Sequence, residues 1–95
     1  MSKHPTQITI DTSRVLSPAE LAMMLSNLRY DALSDFLYYL SSKLKLDSDG
    51  DLKRDRKKLA CALLDASVYI KEAADVVYDA WKVCEKFENK EDKNE

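Results

Sequence analysis

From Leu59 to Phe87 the apolar residues recur at steps of four and three without a miss: Leu59, Leu63, Ala66, Ile70, Ala73, Val77, Ala80, Cys84 and Phe87. A heptad seam carried over four repeats predicts one long helix, from about residue 51 to beyond residue 84. No glycine or proline interrupts the chain between Leu52 and Glu88. Ala62, Tyr69, Val76 and Val83 widen the seam on one side, and Ala60, Ala74 and Trp81 on the other. Asp65, Glu72, Asp75 and Asp79 fall on the opposite face, which reads as solvated. Alanine returns at one heptad position three times, as Ala66, Ala73 and Ala80. Such small side chains let another helix approach toward the short end of the usual range of about 8–10 Å. The long helix is therefore expected to have a close-packed partner along its C-terminal half.

Upstream, "SPAE" (Ser17 to Glu20) reads as a helix start. Serine caps, proline fits the first helical position and glutamate three residues on completes a capping box. Leu21, Met24, Leu25 and Leu28 then form one helical stripe; Leu33, Phe36, Leu37, Leu40 and Leu44 form another. At 100° per residue the stripes point about 125° apart, which predicts a break near Arg29–Asp31, with Asp31 as the new cap. Before all this, "TQITID" alternates polar and apolar over residues 6 to 11, a strand pattern with Ile8 and Ile10 on one face. It is the only such stretch. It is expected either to pair with a second copy or, more simply, to lie extended across the helices.

The expected fold is thus all-α: a small helical bundle with two shorter N-terminal helices packed on one long C-terminal helix, preceded by a short extended segment. The chain divides into an extended or flexible stretch over 1–16, a helical domain over 17–88 and a disordered charged tail over 89–95. Composition agrees. One glycine and two prolines in 95 residues are too few for the turns of a sheet protein. With 45% hydrophobic and 34% charged residues the chain reads as globular rather than disordered.

Charge and chemistry narrow the function classes. A formal net charge of −2 argues against wholesale wrapping of nucleic acid. No run of 18 apolar residues is present and the first residues lack an apolar signal core, so the expected location is the cytoplasm. Cys61 and Cys84 lie 23 residues apart on one helix, roughly 35 Å at 1.5 Å per residue, too far to bridge, and are expected to be reduced thiols. The lone histidine, His4, has no catalytic partner nearby, and no glycine-rich phosphate loop exists. No enzyme activity, cofactor or metal site is expected.

The stretch "KLDSDGDLKRDRKK", residues 45 to 58, has the densest charge. Asp47, Asp49 and Asp51 match the first calcium ligands of an EF-hand loop, but Leu52 stands where the sharp turn needs glycine and Lys58 where the bidentate glutamate belongs. The stretch reads instead as a turn at Gly50 between two helices, with Asp49 or Asp51 capping the second. Lys53, Arg54, Arg56, Lys57 and Lys58 follow, a candidate patch for an anion or acidic partner. Tyr38, Tyr39 and Tyr78 fall off the core stripes and are candidates for a second contact surface.

Two functions follow. The first is a small cytoplasmic protein–protein interaction module, an adaptor or regulator, acting as a homodimer. Two helical segments totalling about 40 Å cannot cover a helix of about 55 Å, which leaves Ala66, Ala73, Val77, Ala80, Trp81, Cys84 and Phe87 as the dimer seam. The second is a nucleic-acid-binding regulator. One strand followed by two helices, over residues 6 to 45, resembles the element order of ribbon-helix-helix repressors, whose strands pair between subunits. That resemblance implies that Gln7, Thr9 and Asp11 face the major groove. The turn "LRYD" stands where those domains commonly carry a glycine.

Overall fold

The structure, a computed structural model, describes the backbone from His4 to Asn94 and the side chains from His4 to Phe87, Thr12 excepted in both. Two short strands, β1 (Ile8–Asp11) and β2 (Arg14–Leu16), precede three helices: α1 (Pro18–Ser26), α2 (Tyr30–Lys53) and α3 (Lys57–Asn94). The break expected near Arg29–Asp31 separates α1 from α2, and α3 runs without interruption past Ser67. It reaches Asn94, inside the stretch 89–95 expected to be a disordered tail.

The N-terminal segment is not a lone strand. β1 pairs antiparallel with β2, Ile8 opposite Leu16 and Thr9 opposite Val15, with an irregularity before Asp11 opposite Arg14. The chain turns because the Asp11 carboxylate accepts from both the backbone N–H and the hydroxyl of Ser13, each at 2.7 Å. The ribbon is closed within one chain, where the ribbon-helix-helix resemblance places the pairing between subunits. The capping box at Ser17 and Glu20 is formed, and Leu16 and Leu21 occupy the positions of a hydrophobic staple on either side of it. Asp31 does not cap α2. Arg29 is the cap residue, and Asp31, in the first turn, takes its guanidinium in a two-pronged grip at 2.7 Å for each contact. That grip holds the Asp31 carboxyl below its ordinary range.

α2 and α3 form an antiparallel hairpin whose seam is small and polar. Ser34 donates to the Ala74 carbonyl at 2.8 Å, Ser41 to the Ser67 carbonyl at 2.7 Å, and Ser48 to the Ala60 carbonyl at 2.6 Å. Ser67 returns a bond to the Ser41 carbonyl at 2.9 Å. Each step of seven down α2 meets a step of seven up α3, so one register satisfies every hydroxyl. All six residues are buried. Side chains this short are what allow hydroxyl-to-carbonyl bonds between helices, which bulkier residues would hold apart. Close packing does occur, but along Ala60, Ser67 and Ala74 in the N-terminal half of α3 rather than along the C-terminal half as expected. Ala66, Ala73 and Ala80 lie one position round the helix from that line and have no part in it.

The turn is also displaced from its expected place. α2 continues through Asp47, Asp49, Gly50 and Asp51 to Lys53, so no loop exists there to wrap a cation, and Asp49 and Asp51, expected as caps of the next helix, lie inside α2. The chain reverses over Arg54–Arg56. Asp55 takes the left-handed conformation at φ 62°, its N–H bonds the Leu52 carbonyl, and the Arg56 N–H reaches back to the Asp51 carbonyl at 2.9 Å. This is a Schellman ending with aspartate where glycine is usual. Asp51, 7% exposed, closes it from inside, its carboxylate 3.4 Å from both the Arg54 and the Arg56 guanidinium.

Placing the turn at Asp55 has a direct test. Gly50→Ala puts a methyl group against the movable end of Arg54, 3.3 Å away, and should stabilise the protein by about 0.5–1 kcal/mol through helix propensity. Asp55→Gly, relieving the left-handed residue, should also stabilise, by up to about 1 kcal/mol. Urea denaturation measures both; a loss of stability on Gly50→Ala would put the turn at Gly50 instead.

Candidate functional site

The seam divides the hairpin into two unlike sides. In an antiparallel pair, stepping three residues on from the seam, or one back, leads to the same side on both helices. On α2 that side carries Leu33, Leu37, Leu40 and Leu44; on α3 it carries Leu63, Ala66, Ile70, Ala73 and Val77. None of these is buried: Leu40 is 36% exposed, Ala73 is exposed and the rest are half-buried. Nine apolar positions in two neighbouring rows thus form one continuous face.

The other side is mixed: near the turn it carries Leu52, Cys61, Leu64 and Val68, all exposed, and farther along it is charged. It also carries Asp35, Tyr38, Lys45 and Asp49 from α2 and Lys71, Asp75, Tyr78 and Lys82 from α3. Tyr38 donates its hydroxyl to Asp75 at 2.8 Å, a bond between the helices on this side. That bond, with smaller contributions from burial and from the carboxylate's charge, holds the phenol above its ordinary pKa. Lys82 lies over the Tyr78 ring at 5.1 Å. Tyr38 and Tyr78 therefore share a side, whereas Tyr39, 77% exposed, points from the back of α2. The three tyrosines do not converge on one surface.

Beyond about residue 78, α3 runs on alone, because α2 begins at Tyr30, four residues before Ser34 meets Ala74. The corner between α1 and α2 reaches this overhang. Arg29 stacks over Trp81 at 4.8 Å, and Leu28, Arg29, Tyr30, Trp81 and Cys84 line a shallow hollow. The residues expected to form one dimer seam are thereby divided. Ala66, Ala73 and Val77 lie on the apolar face beside α2. Ala80 and Phe87 are exposed along the overhang, Phe87 at 61%. Trp81 and Cys84 are half-covered by the corner.

The basic burst straddles the turn, with Lys53 ending α2 and Lys57 and Lys58 opening α3. Arg54 and Arg56 are committed to Asp51, so two of the five cations serve the turn itself. Lys57 lies 3.9 Å from Asp55, and both are exposed. His4 comes over this tip, where it joins Leu44, Asp51, Leu59 and Leu63 around an open cleft. Cys61 and Cys84 are both free. Among the described residues no three acidic, histidine or cysteine side chains gather as a metal site, and no helix is long and apolar enough to cross a membrane.

Sequence reasoning placed the apolar residues but missed what separates the two sides. The signal was there: serine every seventh residue on α2, and alanine or serine every seventh on α3, in opposite directions.

Asp75→Ala should bring the Tyr38 pKa down toward the usual value of about 10. The sign of the linkage follows: the contact supports the fold below the tyrosine range and is lost as pH rises through the raised pKa. Tyrosine ring-carbon NMR across an alkaline titration reads this for each of the five tyrosines. An unmoved Tyr38 in the variant would contradict the Asp75 contact. Comparison with protein-family models, curated proteins and solved structures finds no match, and the chain's own geometry is what its function must be read from.

Proposed function

We propose that this chain is a small protein–protein interaction module, an adaptor or regulator, that acts as a homodimer through the apolar face of the α2–α3 hairpin. One observation carries the reading: the single chain has too much surface for its mass. It exposes 8012 Å² at 10.9 kDa, where a compact monomer of that mass exposes about 5600 Å². Its radius of gyration is 17.5 Å, against about 12 Å for a compact domain of this length. The only buried hydrophobic residues among those described are Leu16, Ala60 and Ala74. A domain normally buries its apolar stripe in a second layer, and this hairpin is a single layer.

The excess of about 2400 Å² is of the size that one subunit contributes to an obligate homodimer. The face is apolar, seven of its nine residues are only half-buried in the single chain, and an apolar face of this kind is normally covered by a second layer. A two-fold dimer is the commonest way to close it. Free Cys61 and Cys84 suit a reducing compartment such as the cytoplasm. A nucleic-acid role draws less support, since Arg54 and Arg56 are engaged with Asp51 and the ribbon is closed within the chain.

Sedimentation equilibrium at micromolar concentration should give twice 10.9 kDa. Ala73→Arg should halve that mass, because residue 73 is exposed on the face and clear of the intrachain seam. Ala74→Leu acts differently: it overpacks the fully buried seam, costs about 1–3 kcal/mol and weakens the hairpin itself. A wild-type mass of 10.9 kDa at all concentrations would contradict the proposal.

A further inference from the structure

We infer that the second copy lies antiparallel across the first, with α3 packed on the partner subunit's α3 and Ala73 on the two-fold axis. This rests on the association proposed above and adds its geometry.

Two symmetric arrangements bring the apolar faces of two hairpins together. If the two-fold runs along the hairpin, each α3 faces the partner's α2 at the same level. If the two-fold runs across the hairpin, each α3 faces the partner's α3 in the opposite direction. Both keep facing helices antiparallel, so helix dipoles do not choose between them. Length does. α3 continues well past the level at which α2 begins, and its exposed apolar positions extend to Phe87. A two-fold along the hairpin leaves Ala80 and Phe87 with nothing opposite. Among the described elements, only another α3 is long enough to match this run.

Matching the run to itself fixes the centre. Its ends, Leu59 and Phe87, are 47% and 61% exposed, and the residue midway between them is Ala73. With Ala73 on the axis, Leu59 meets the level of the partner's Phe87, and Ala66 meets the level of Ala80. Large positions lie at the ends and small ones in the middle, the self-complementary pattern that a two-fold contact requires. The direction fits as well. The Ala66–Ala73–Ala80 line lies 100° round α3 from the line that holds α2. A helix with two neighbours about a right angle apart is a corner of a four-helix bundle.

Charge supports the same choice. Lys53, Arg54, Arg56, Lys57 and Lys58 crowd the hairpin tip against Asp51 and Asp55. A two-fold along the hairpin sets the two basic tips side by side, and like charges so placed oppose association. A two-fold across it sends them to opposite ends.

The test uses the full chain with Cys61→Ser and Cys84→Ser as background. Under mild oxidation Ala73→Cys should link to its own copy, since a disulfide needs Cα atoms within about 7 Å. Ala66→Cys and Ala80→Cys should each stay unlinked alone, because each lies about 21 Å from its counterpart along the axis at 1.5 Å per residue. Mixed together, they should link to each other. A spin label at Leu52→Cys, near the tip on the side of the hairpin away from the apolar face, should report a distance of about 50 Å between copies on the same arithmetic. A dimer that gives below about 30 Å at that label, or that links Ala66→Cys to itself, overturns the antiparallel geometry but leaves the association standing. A background protein that sediments as a monomer overturns both.

Discussion

The bond between a serine hydroxyl and a backbone carbonyl of the facing helix is what the rest of this molecule depends on. It occurs at Ser34, Ser41, Ser48 and Ser67, always across the same seam. Such bonds form only if the helices approach closely, which excludes every large side chain from between them. The leucines, isoleucine and valines of α2 and α3 cannot enter the seam, and the largest run of them, Leu33, Leu37, Leu40, Leu44, Leu63, Ile70 and Val77, gathers on one side of it. A hairpin held this way gains specificity of register, since buried hydroxyls left unpaired would cost about 1–3 kcal/mol each. It gains almost no hydrophobic core. The apolar face is therefore a consequence of the seam, and the same four serines that join α2 to α3 leave both helices needing a second layer.

The turn enforces this arrangement from the end. Three residues, Arg54 to Arg56, connect helices of 24 and 38 residues. So short a connection fixes the neighbours as antiparallel, and the Schellman ending with Asp51 beneath it fixes where α3 starts. Asp51 is a buried carboxylate with two guanidinium groups near it, so the cations that look like a surface patch in the sequence are partly the turn's own scaffold. The N-terminal elements are less tightly bound: α1 has no buried residue, and among the described residues of the β1–β2 ribbon only Leu16 is buried.

Much of this was legible in the sequence, for identifiable reasons. Heptad spacing and the absence of glycine and proline marked α3. The "SPAE" box marked the start of α1, and the turn of one stripe against another marked the break before α2. Each is a local rule with a strong period or a fixed spacing. What was not legible depends on the partner. Ser34, Ser41 and Ser48 stood outside the apolar stripes and drew no reading, because hydrophobicity does not show that a hydroxyl can bond a carbonyl as far as 40 residues away. Gly50 looked like the turn because glycine usually marks one; here it is helical, and Asp55 takes the strained conformation. β2 escaped because three residues, "RVL", are too few to show alternation. The small-residue line was misplaced by one position, since α3 carries two such lines side by side and only α2 decides which one it uses.

If the hairpin is one layer of a two-layer core, its folding and its association are a single event. Equilibrium urea unfolding followed by far-UV circular dichroism at two protein concentrations, a hundredfold apart, tests this directly. Binding of a second copy to the folded state alone makes stability depend on concentration. The account predicts a midpoint that rises clearly at the higher concentration. One cooperative transition with the same midpoint at both would contradict it, showing that the single chain holds its fold without a second layer.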